Sequence, residues 1–118
     1  MTERPGKLAQ DRIGVHPDDW ILSDGAESVL RAVDPGIRGF MRLMLAGDFE
    51  TYESCEGGEG HAYPEPTIRF HGNRGEGFRA FAWLMTHGVA PSSIRRIWEV
   101  IEGEPVGPEW EITFRVPS

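Results

Sequence analysis

The chain has 118 residues and a formal net charge of −7. Its length predicts one domain, and its acidic balance argues against a broad nucleic-acid surface, which needs clustered Lys and Arg. The single cysteine excludes an intramolecular disulfide and is typical of a reducing compartment. No apolar run approaches the roughly 18 residues that span a bilayer, and the first residues lack the apolar stretch of a signal peptide. We therefore expect a cytoplasmic protein with no membrane partner.

The N-terminal part predicts an arm followed by a folded domain. Residues 1–16 are polar and are expected to form a flexible arm, whereas residues 17–118 are expected to form a single α+β domain. Ser23 or Asp24 is placed to cap a short first helix. The apolar residues of that helix fall at helical spacing; they are Ala26, Val29, Leu30 and Val33.

A second helix follows and has the clearest amphipathic pattern in the chain. Asp34 is a suitable N-cap, and Pro35 suits the first helical position. Gly47 is placed to end the helix in the left-handed conformation. The residues between form one continuous apolar stripe; they are Ile37, Phe40, Met41, Met44 and Leu45.

Two strands and a third helix are predicted next. The segment 49–55 alternates as a strand, and the segment 67–71 is a strand with Ile68 and Phe70 on one face and Arg69 and His71 on the other. A glycine-rich turn then opens the third helix, which Gly88 is expected to end. The expected buried stripe of this helix, widened by Trp83 and Leu84, consists of Phe78, Phe81, Ala82 and Met85.

The C-terminal third predicts a β-hairpin with strands starting at Ile94 and near Trp110, joined by the loop 102–108. Arg95 and Arg96 are interpreted as a solvated strand start. The inward face of the last strand is Trp110, Ile112, Phe114 and Val116; the outward face is Glu111, Thr113 and Arg115. The tryptophans at apolar positions, Trp83, Trp98 and Trp110, are expected in the core.

The element order α–α–β–β–α–β–β predicts an α+β two-layer sandwich, with a mainly antiparallel sheet of about four strands and two to three helices on one face. A half-covered antiparallel sheet has one apolar face. Its other face, which would carry Arg69, His71, Glu111 and Thr113, is either solvated or the wall of a cleft.

The chemically rich stretch of the chain is 51–61, which runs from a strand into a glycine-rich loop. Loops of this kind often carry function. Cys55 is a candidate nucleophile if a histidine stabilises its thiolate, and His61 and His71 are the candidate acid or base groups. The alternative is that Cys55 is a small buried residue, because nearby carboxylates raise the pKa of a thiol.

A ligand would be held by the loop and by the polar face of the next strand. The glycines let backbone approach a ligand closely, although a hairpin tip and ordinary cross-strand charge pairs would have the same composition. A zinc site at Cys55, His61 and His71 is a weaker alternative, since the spacing matches no strong zinc signature. The candidate ligand-binding residues are Glu53, Ser54, Glu56, Gly57, Gly58 and Arg69.

The segment Thr51-Tyr-Glu-Ser-Cys-Glu-Gly57 has a Thr-x-x-Ser-Cys-x-Gly signature, and Pro66-Thr-Ile-Arg-Phe70 follows it as a Pro-x-x-x-Phe strand. With these motifs the chain resembles a set of small uncharacterised bacterial and phage proteins. It is also faintly similar to the wybutosine-synthesis methyltransferase family, which uses S-adenosylmethionine to modify a tRNA base. That family has Ser-Gly-Arg where this chain has Glu56-Gly57-Gly58. The resemblance implies a similar sheet with its Ser-Cys loop at a pocket.

Two hypotheses of different classes follow. The first is a protein that binds or modifies a small, nucleotide-like ligand at the Ser-Cys-Glu-Gly-Gly loop, with a cofactor that the sequence leaves unknown. The second is a non-enzymatic interaction or accessory module, of a kind found in phage or defence operons, whose acidic surface suits a basic partner. Metal binding is a further alternative, and a homodimer is left open.

Overall fold

The computed structural model describes residues 22–115, so the predicted arm 1–16 and the inward position of Val116 lie outside the described residues. Within this range, the predicted order of helices and strands is confirmed. The elements are α1 (Asp24–Ala32), a 3₁₀ turn (Pro35–Ile37), α2 (Arg38–Ala46), β1 (Glu50–Cys55), β2 (Thr67–His71), α3 (Arg74–Thr86), β3 (Pro91–Ile101) and β4 (Glu104–Phe114).

The four strands form one antiparallel sheet with the order β1-β2-β4-β3. Apolar side chains of the three α-helices pack with one face of this sheet, as an α+β two-layer fold requires. No helix between residues 22 and 115 is long and apolar enough to cross a membrane. The core consists of Leu30, Ile37, Met41, Leu43, Met44, Phe49, Ile68, Phe70, Ala80, Trp83, Leu84, Ile112 and Phe114.

The start of α1 agrees with the prediction, whereas the two ends of α2 differ. The Ser23 hydroxyl caps α1 by accepting from the Ala26 N–H at 3.1 Å. Asp34 makes no side-chain cap, because the chain first forms the 3₁₀ turn and leaves its carboxylate for other contacts. Gly47 has a φ of −84° and is not left-handed. Glycine is needed there because a Cβ would lie 2.7 Å from the Phe49 ring.

The predicted buried face of α3 is wrong for Phe78, Phe81, Ala82 and Met85 but is confirmed for Trp83 and Leu84. Phe78 is 76% exposed, Phe81 47% and Met85 48%, while Trp83 and Leu84 are buried. The helix instead turns its small residues inward, and Gly77 lies directly against the Trp110 ring. Small residues at Gly77 and Ala80 allow the helix backbone to approach the sheet closely, while Phe78, Phe81 and Met85 remain outside. The predicted end is confirmed, since Gly88 has a φ of 79° after the helix.

The C-terminal hairpin is longer and more tightly turned than predicted. β3 begins at Pro91, and the strands are joined by Glu102 and Gly103 alone, in place of the predicted seven-residue loop. Both turn residues have positive φ, at 51° and 82°. That pair of values defines the two-residue turn whose twist matches a right-handed hairpin. Trp98, expected in the core, is 60% exposed on this hairpin.

The outward face of β4 is also more buried than its polarity suggests. Glu111 is 2% exposed and Thr113 is 8% exposed, although both alternate with the core residues Ile112 and Phe114. The sequence left two interpretations of this face, a solvated surface or a cleft wall. On a solvated face the carboxylate and the hydroxyl would be exposed, so their burial favours the cleft wall. Buried groups of this kind are normally hydrogen-bonded.

Candidate functional site

The open face of the sheet, opposite the helices, carries two cross-strand rows of polar residues. One row is formed by Thr67, Thr113 and Ser93, which are paired in the strand register. The other row consists of Glu53, Arg69, Glu111 and Arg95 in the same spatial order. Side chains two residues apart on a strand share a face, so the two rows lie side by side.

Glu111 is the centre of the charged row. Its Oε2 atom accepts from Arg69 Nε at 3.1 Å and from Arg69 Nη2 at 2.9 Å, and its Oε1 atom accepts from Arg95. Burial alone would raise the pKa of the Glu111 carboxyl, but the hydrogen bonds and charges of the two arginines outweigh burial and hold the pKa below its usual value. The buried carboxylate is therefore ionised at neutral pH.

Arg69, on β2, links the two edge strands β1 and β3 to this carboxylate. Its Nη1 atom donates to Glu99 at 2.8 Å and to Glu53 at 3.4 Å. Burial acts to lower the pKa of Arg69. The hydrogen bonds to Glu111 and the negative charges of Glu111 and Glu53 outweigh burial, so the pKa lies above its ordinary value. The guanidinium is thus a permanent positive charge that three carboxylates hold in one position.

Tyr63 covers this network from the loop 56–66. The Arg69 guanidinium lies 5.2 Å from the centre of its ring, and its hydroxyl donates to Glu53 Oε2 at 3.2 Å. Burial raises the pKa of the Tyr63 hydroxyl to about 12, with Arg69 acting against the rise and Glu53 adding to it. The hydroxyl therefore stays protonated at neutral pH and can continue to donate.

The glycine-rich loop folds back on itself and is held by backbone hydrogen bonds within the loop and from β4. The Gly58 N–H donates to the carbonyls of Tyr63 and Pro64, both at 3.1 Å, and the Phe114 N–H donates to Pro66 at 2.9 Å. Gly57 has a φ of 81°, and a Cβ there would lie 2.3 Å from the backbone of Glu65. Glycine at 57 is what lets the two ends of the loop touch.

A pocket of about 280 Å³ opens between the end of this loop and the polar rows. Ligand pockets usually occupy about 300–1,000 Å³, so this one lies just below that range and has room only for a small molecule. Its hydroxyls are connected, since Thr113 Oγ1 lies 2.6 Å from Ser93 Oγ and 2.7 Å from Ser92 Oγ. It is lined by Tyr63, Pro64, Glu65, Thr67, Ser93, Arg95, Glu111 and Thr113.

The residues predicted as one site lie in three places. Glu53 and Arg69 belong to the charged row, as the expected cross-strand contact places them. His71 stands at the far end of β2, where its Nδ1 atom lies 2.7 Å from Glu109 Oε1 and its ring stacks on Tyr52 at 4.3 Å. Its register partner is at the opposite end of β1 from Cys55, so the metal set that includes His71 is not brought together.

His61 does converge on the cysteine. Ligand atoms of Asp34, Cys55 and His61 all lie within 4.8 Å of one another. His61 Nε2 lies 3.2 Å from Glu56 Oε2, and His61 Nδ1 lies 3.9 Å from Asp34 Oδ2. This cluster consists of two of the predicted catalytic candidates and one predicted ligand-binding residue, joined by an aspartate that the sequence placed at a helix start.

Ser54 pairs with Ile68 in the β1–β2 ladder, and it does not line the pocket. Gly57 and Gly58 shape the loop and do not line the pocket either. Sequence reasoning missed Tyr63, Ser93 and Arg95 as pocket residues. An earlier start for β3 would have brought Ser93 into the ladder, since it immediately precedes the predicted strand.

Comparison of the chain with protein-family models, with curated proteins and with solved structures gave no match in any of the three. The site therefore has to be interpreted from its own geometry.

Proposed function

We propose that this protein binds a small, uncharged or cationic molecule with several hydrogen-bonding groups, in the pocket between the loop 56–66 and the open face of the sheet. The observation that carries the proposal is the pocket of about 280 Å³, with hydroxyls, an aromatic ring and a buried carboxylate converging on it. Concave sites with a few fixed polar groups are the usual form of a small-molecule site.

The charges around the pocket indicate which charge a ligand can carry. Its lining carries two carboxylates, from Glu65 and Glu111, and one guanidinium, from Arg95. Arg69 adds a second positive charge beneath the lining, but it contacts two further carboxylates, Glu53 and Glu99. With four carboxylates around two guanidinium groups and a net charge of −7 on the chain, an anion would be repelled. Among the nucleotide-like ligands expected from the sequence, this favours a nucleoside over a nucleotide.

Several pocket groups are held in place before a ligand arrives. Glu111 is fixed by two arginines, and Tyr63 is fixed by Arg69 and Glu53. Fixed groups lose little conformational entropy when they bind, which raises affinity. The Arg95 side chain is 64% exposed, so its guanidinium remains accessible to a ligand from the open side of the pocket.

The test is calorimetric titration of the full chain with four nucleosides, with their 5′-monophosphates as charge-changed counterparts, and with the cationic S-adenosylmethionine. We expect at least one nucleoside or the sulfonium compound to bind, and each monophosphate to bind at least tenfold more weakly than its nucleoside. Tighter binding of the monophosphates, or absence of heat from every probe, would contradict the proposal.

Two conservative variants locate the binding. Ser93→Ala and Tyr63→Phe each remove one hydroxyl from the pocket lining, and a lost hydrogen bond of this kind weakens binding by about 0.5–1.5 kcal/mol, or about two- to tenfold. Ser28→Ala on the exposed part of α1 is the matched control and leaves binding unchanged. Equal affinities for all three variants would place any binding elsewhere.

A second candidate function is self-association through β3. This strand is at the edge of the sheet, and its large apolar side chains Trp98 and Val100 are 60% and 73% exposed. Exposed apolar edge strands commonly pair with another chain, and a second copy supplies an identical edge. This candidate corresponds to an interaction module with no active site.

Light scattering coupled to size exclusion separates the two functions. Self-association predicts a dimer that Trp98→Lys converts to a monomer, because a charge would be buried at the contact. Glu102→Lys at the exposed hairpin turn adds the same group outside the contact and leaves the dimer intact. A monomer at all accessible concentrations rejects self-association without affecting the ligand proposal.

A further inference from the structure

A second cluster of reactive side chains lies at the start of the loop 56–66, apart from the pocket at its end. Asp34 comes from the segment between α1 and the 3₁₀ turn, Cys55 from the last position of β1, and His61 from the loop. Their ligand atoms lie within 4.8 Å of one another. A tetrahedral zinc ion with bonds of 2.0–2.3 Å holds its ligand atoms about 3.3–3.8 Å apart, so only a small inward movement is needed.

The orientation of His61 is the most informative feature of the cluster. Its Nε2 atom is 3.2 Å from Glu56 Oε2, within hydrogen-bond distance, whereas its Nδ1 atom is 3.9 Å from Asp34 Oδ2, beyond that distance. One ring nitrogen therefore lies within ion-pair distance of the Glu56 carboxylate, while the other lies on the side of Asp34. Histidines that bind metals are oriented in this way, with the second nitrogen donating to a carboxylate.

Glu56 is itself held in position by backbone. Its Oε1 atom accepts from the Gly36 N–H at 2.7 Å, and a Cβ at Gly36 would lie 2.6 Å from the same oxygen. Glycine at 36 is thus required for this contact. The support behind His61 extends through two residues, as it does behind the histidine ligands of metal sites.

The Asp34 carboxylate is directed toward this cluster and away from the helix that follows it. It makes no cap for the 3₁₀ turn, and its Oδ2 atom lies 3.4 Å from the Glu56 N–H. Cys55 is buried beside it, with Sγ accepting weakly from the Gly57 N–H at 3.5 Å. Three donors of different chemical kinds therefore meet where three separate chain segments come together.

We propose that Asp34, Cys55 and His61 bind a zinc ion, with Glu56 orienting His61 through Nε2. Thiolate and imidazole ligands select zinc over magnesium and calcium, which prefer oxygen alone. A thiolate and a carboxylate neutralise the ion. Three protein ligands leave one position of the tetrahedron for water, as in zinc sites that keep an open position. The proposal does not depend on the pocket or on its ligand.

The experiment is titration of the untagged, chelator-treated full chain with Co²⁺ as a spectroscopic probe, followed by competition with Zn²⁺. Binding at the cluster predicts one equivalent of Co²⁺, a thiolate-to-cobalt band in the near ultraviolet, and visible bands of the intensity typical of four ligands. Zn²⁺ should displace the cobalt and raise the melting temperature of the protein. Absence of the thiolate band at one equivalent overturns the proposal.

Variants identify the ligands individually. Cys55→Ser should abolish the thiolate band, and Asp34→Asn and His61→Ala, which change accessible side chains, should each weaken binding by at least tenfold. Glu56→Gln should weaken it by about 10–100-fold with the band retained, since it acts through His61. His71→Ala is the matched control, because His71 is paired with Glu109 at the other end of β2. Unchanged affinity in both Asp34→Asn and His61→Ala would show adventitious binding to the thiol only.

Discussion

Arg69 donates from Nε and from Nη2 to the same oxygen of Glu111, at 3.1 and 2.9 Å, while Arg95 occupies the other oxygen. A carboxylate that is 2% exposed is thereby shared between a guanidinium beneath the pocket and one at its mouth. The two arginines differ in burial, since their side chains are 17% and 64% exposed. Because Arg69 is the more buried of the two, we expect it to contribute more to stability than Arg95.

Removing Arg69 should destabilise the protein much more than removing Arg95. Arg69→Ala leaves a buried carboxylate with one partner, and breaking a buried ion pair costs about 3–5 kcal/mol. Arg95→Ala removes an exposed partner, and exposed pairs contribute about 0–1 kcal/mol. Urea denaturation at pH 7 gives both free energies of unfolding. Equal losses in the two variants would show that the burial of each arginine does not set its contribution to stability.

The same carboxylate predicts how stability depends on pH. The two arginines, acting against burial, hold the pKa of Glu111 below its usual value. A group whose pKa is lower in the folded state stabilises the fold above its unfolded pKa, which is about 4.3 for glutamate. That stabilisation is lost as the pH falls through the folded pKa. Stability of the parent protein should therefore decrease more steeply below about pH 4.3 than that of Glu111→Gln.

Urea denaturation between pH 7 and pH 3 measures this difference directly. The gap in free energy of unfolding between the parent protein and Glu111→Gln should be largest near neutral pH and should narrow as the solution is acidified. Glu102→Gln, at the exposed hairpin turn, serves as the control with the same chemical change. A gap that stays constant across the pH range would mean that Glu111 does not titrate differently on unfolding.

Local patterns in the sequence predicted the elements and their order well. Ser23 caps α1, Gly88 ends α3, and the alternation around Ile68 and Phe70 identifies the buried face of β2. Each of these features depends on residues within a few positions of one another. The α+β class follows from the order of such elements, which is why it could be predicted before the three-dimensional arrangement was known.

Contacts between distant segments could not be predicted in this way. Asp34 and His61 are 27 positions apart, and Arg69 and Glu111 are separated by 42 positions. Asp34 also has the features of an ordinary helix cap, and only the 3₁₀ turn that follows it frees its carboxylate. The residues that the sequence treated as one site therefore lie in three places, which are the charged row, the cluster around Cys55 and the far end of β2.

The buried face of α3 shows a different limit, because the helix is apolar on more than one side. The helical spacing of large apolar residues selects Phe78, Phe81 and Met85. The folded helix instead buries Trp83 and Leu84 together with small residues. Hydrophobic spacing identifies a stripe but does not decide between two stripes. The choice is made by the Trp110 ring, which needs a residue without a side chain at Gly77.

Substitutions on the two sides of α3 should have unequal effects on stability. Phe78→Ser changes a side chain that is 76% exposed, and the free energy of unfolding should change by no more than about 0.5 kcal/mol. Leu84→Ala truncates a side chain with 0% exposure and should cost about 2–5 kcal/mol. Chemical denaturation of both variants decides the matter. A larger loss for Phe78→Ser would restore the face that the periodicity predicts.

A pair of glycine-to-alanine substitutions tests the close approach of α3 to the sheet. A Cβ at Gly77 would lie 2.4 Å from Trp110 Cη2, and that ring is held by a 2.8 Å hydrogen bond from Nε1 to the Asn73 carbonyl and by Arg96 above it at 4.7 Å. Overpacking of this kind costs about 1–3 kcal/mol, which exceeds the gain of about 1 kcal/mol that alanine brings to a helix.

Gly39 in α2 is the matched control, because a Cβ there meets nothing within 4 Å. Gly39→Ala should therefore stabilise the protein by about 0.5–1 kcal/mol through the reduced entropy of the unfolded chain. Gly77→Ala, with the same chemical change, should destabilise it, so that the two variants differ by about 2 kcal/mol. Thermal and urea denaturation of the pair measure that difference. Stabilisation by both substitutions would mean that the Trp110 ring yields freely and that α3 is not held against it by its lack of a side chain at Gly77.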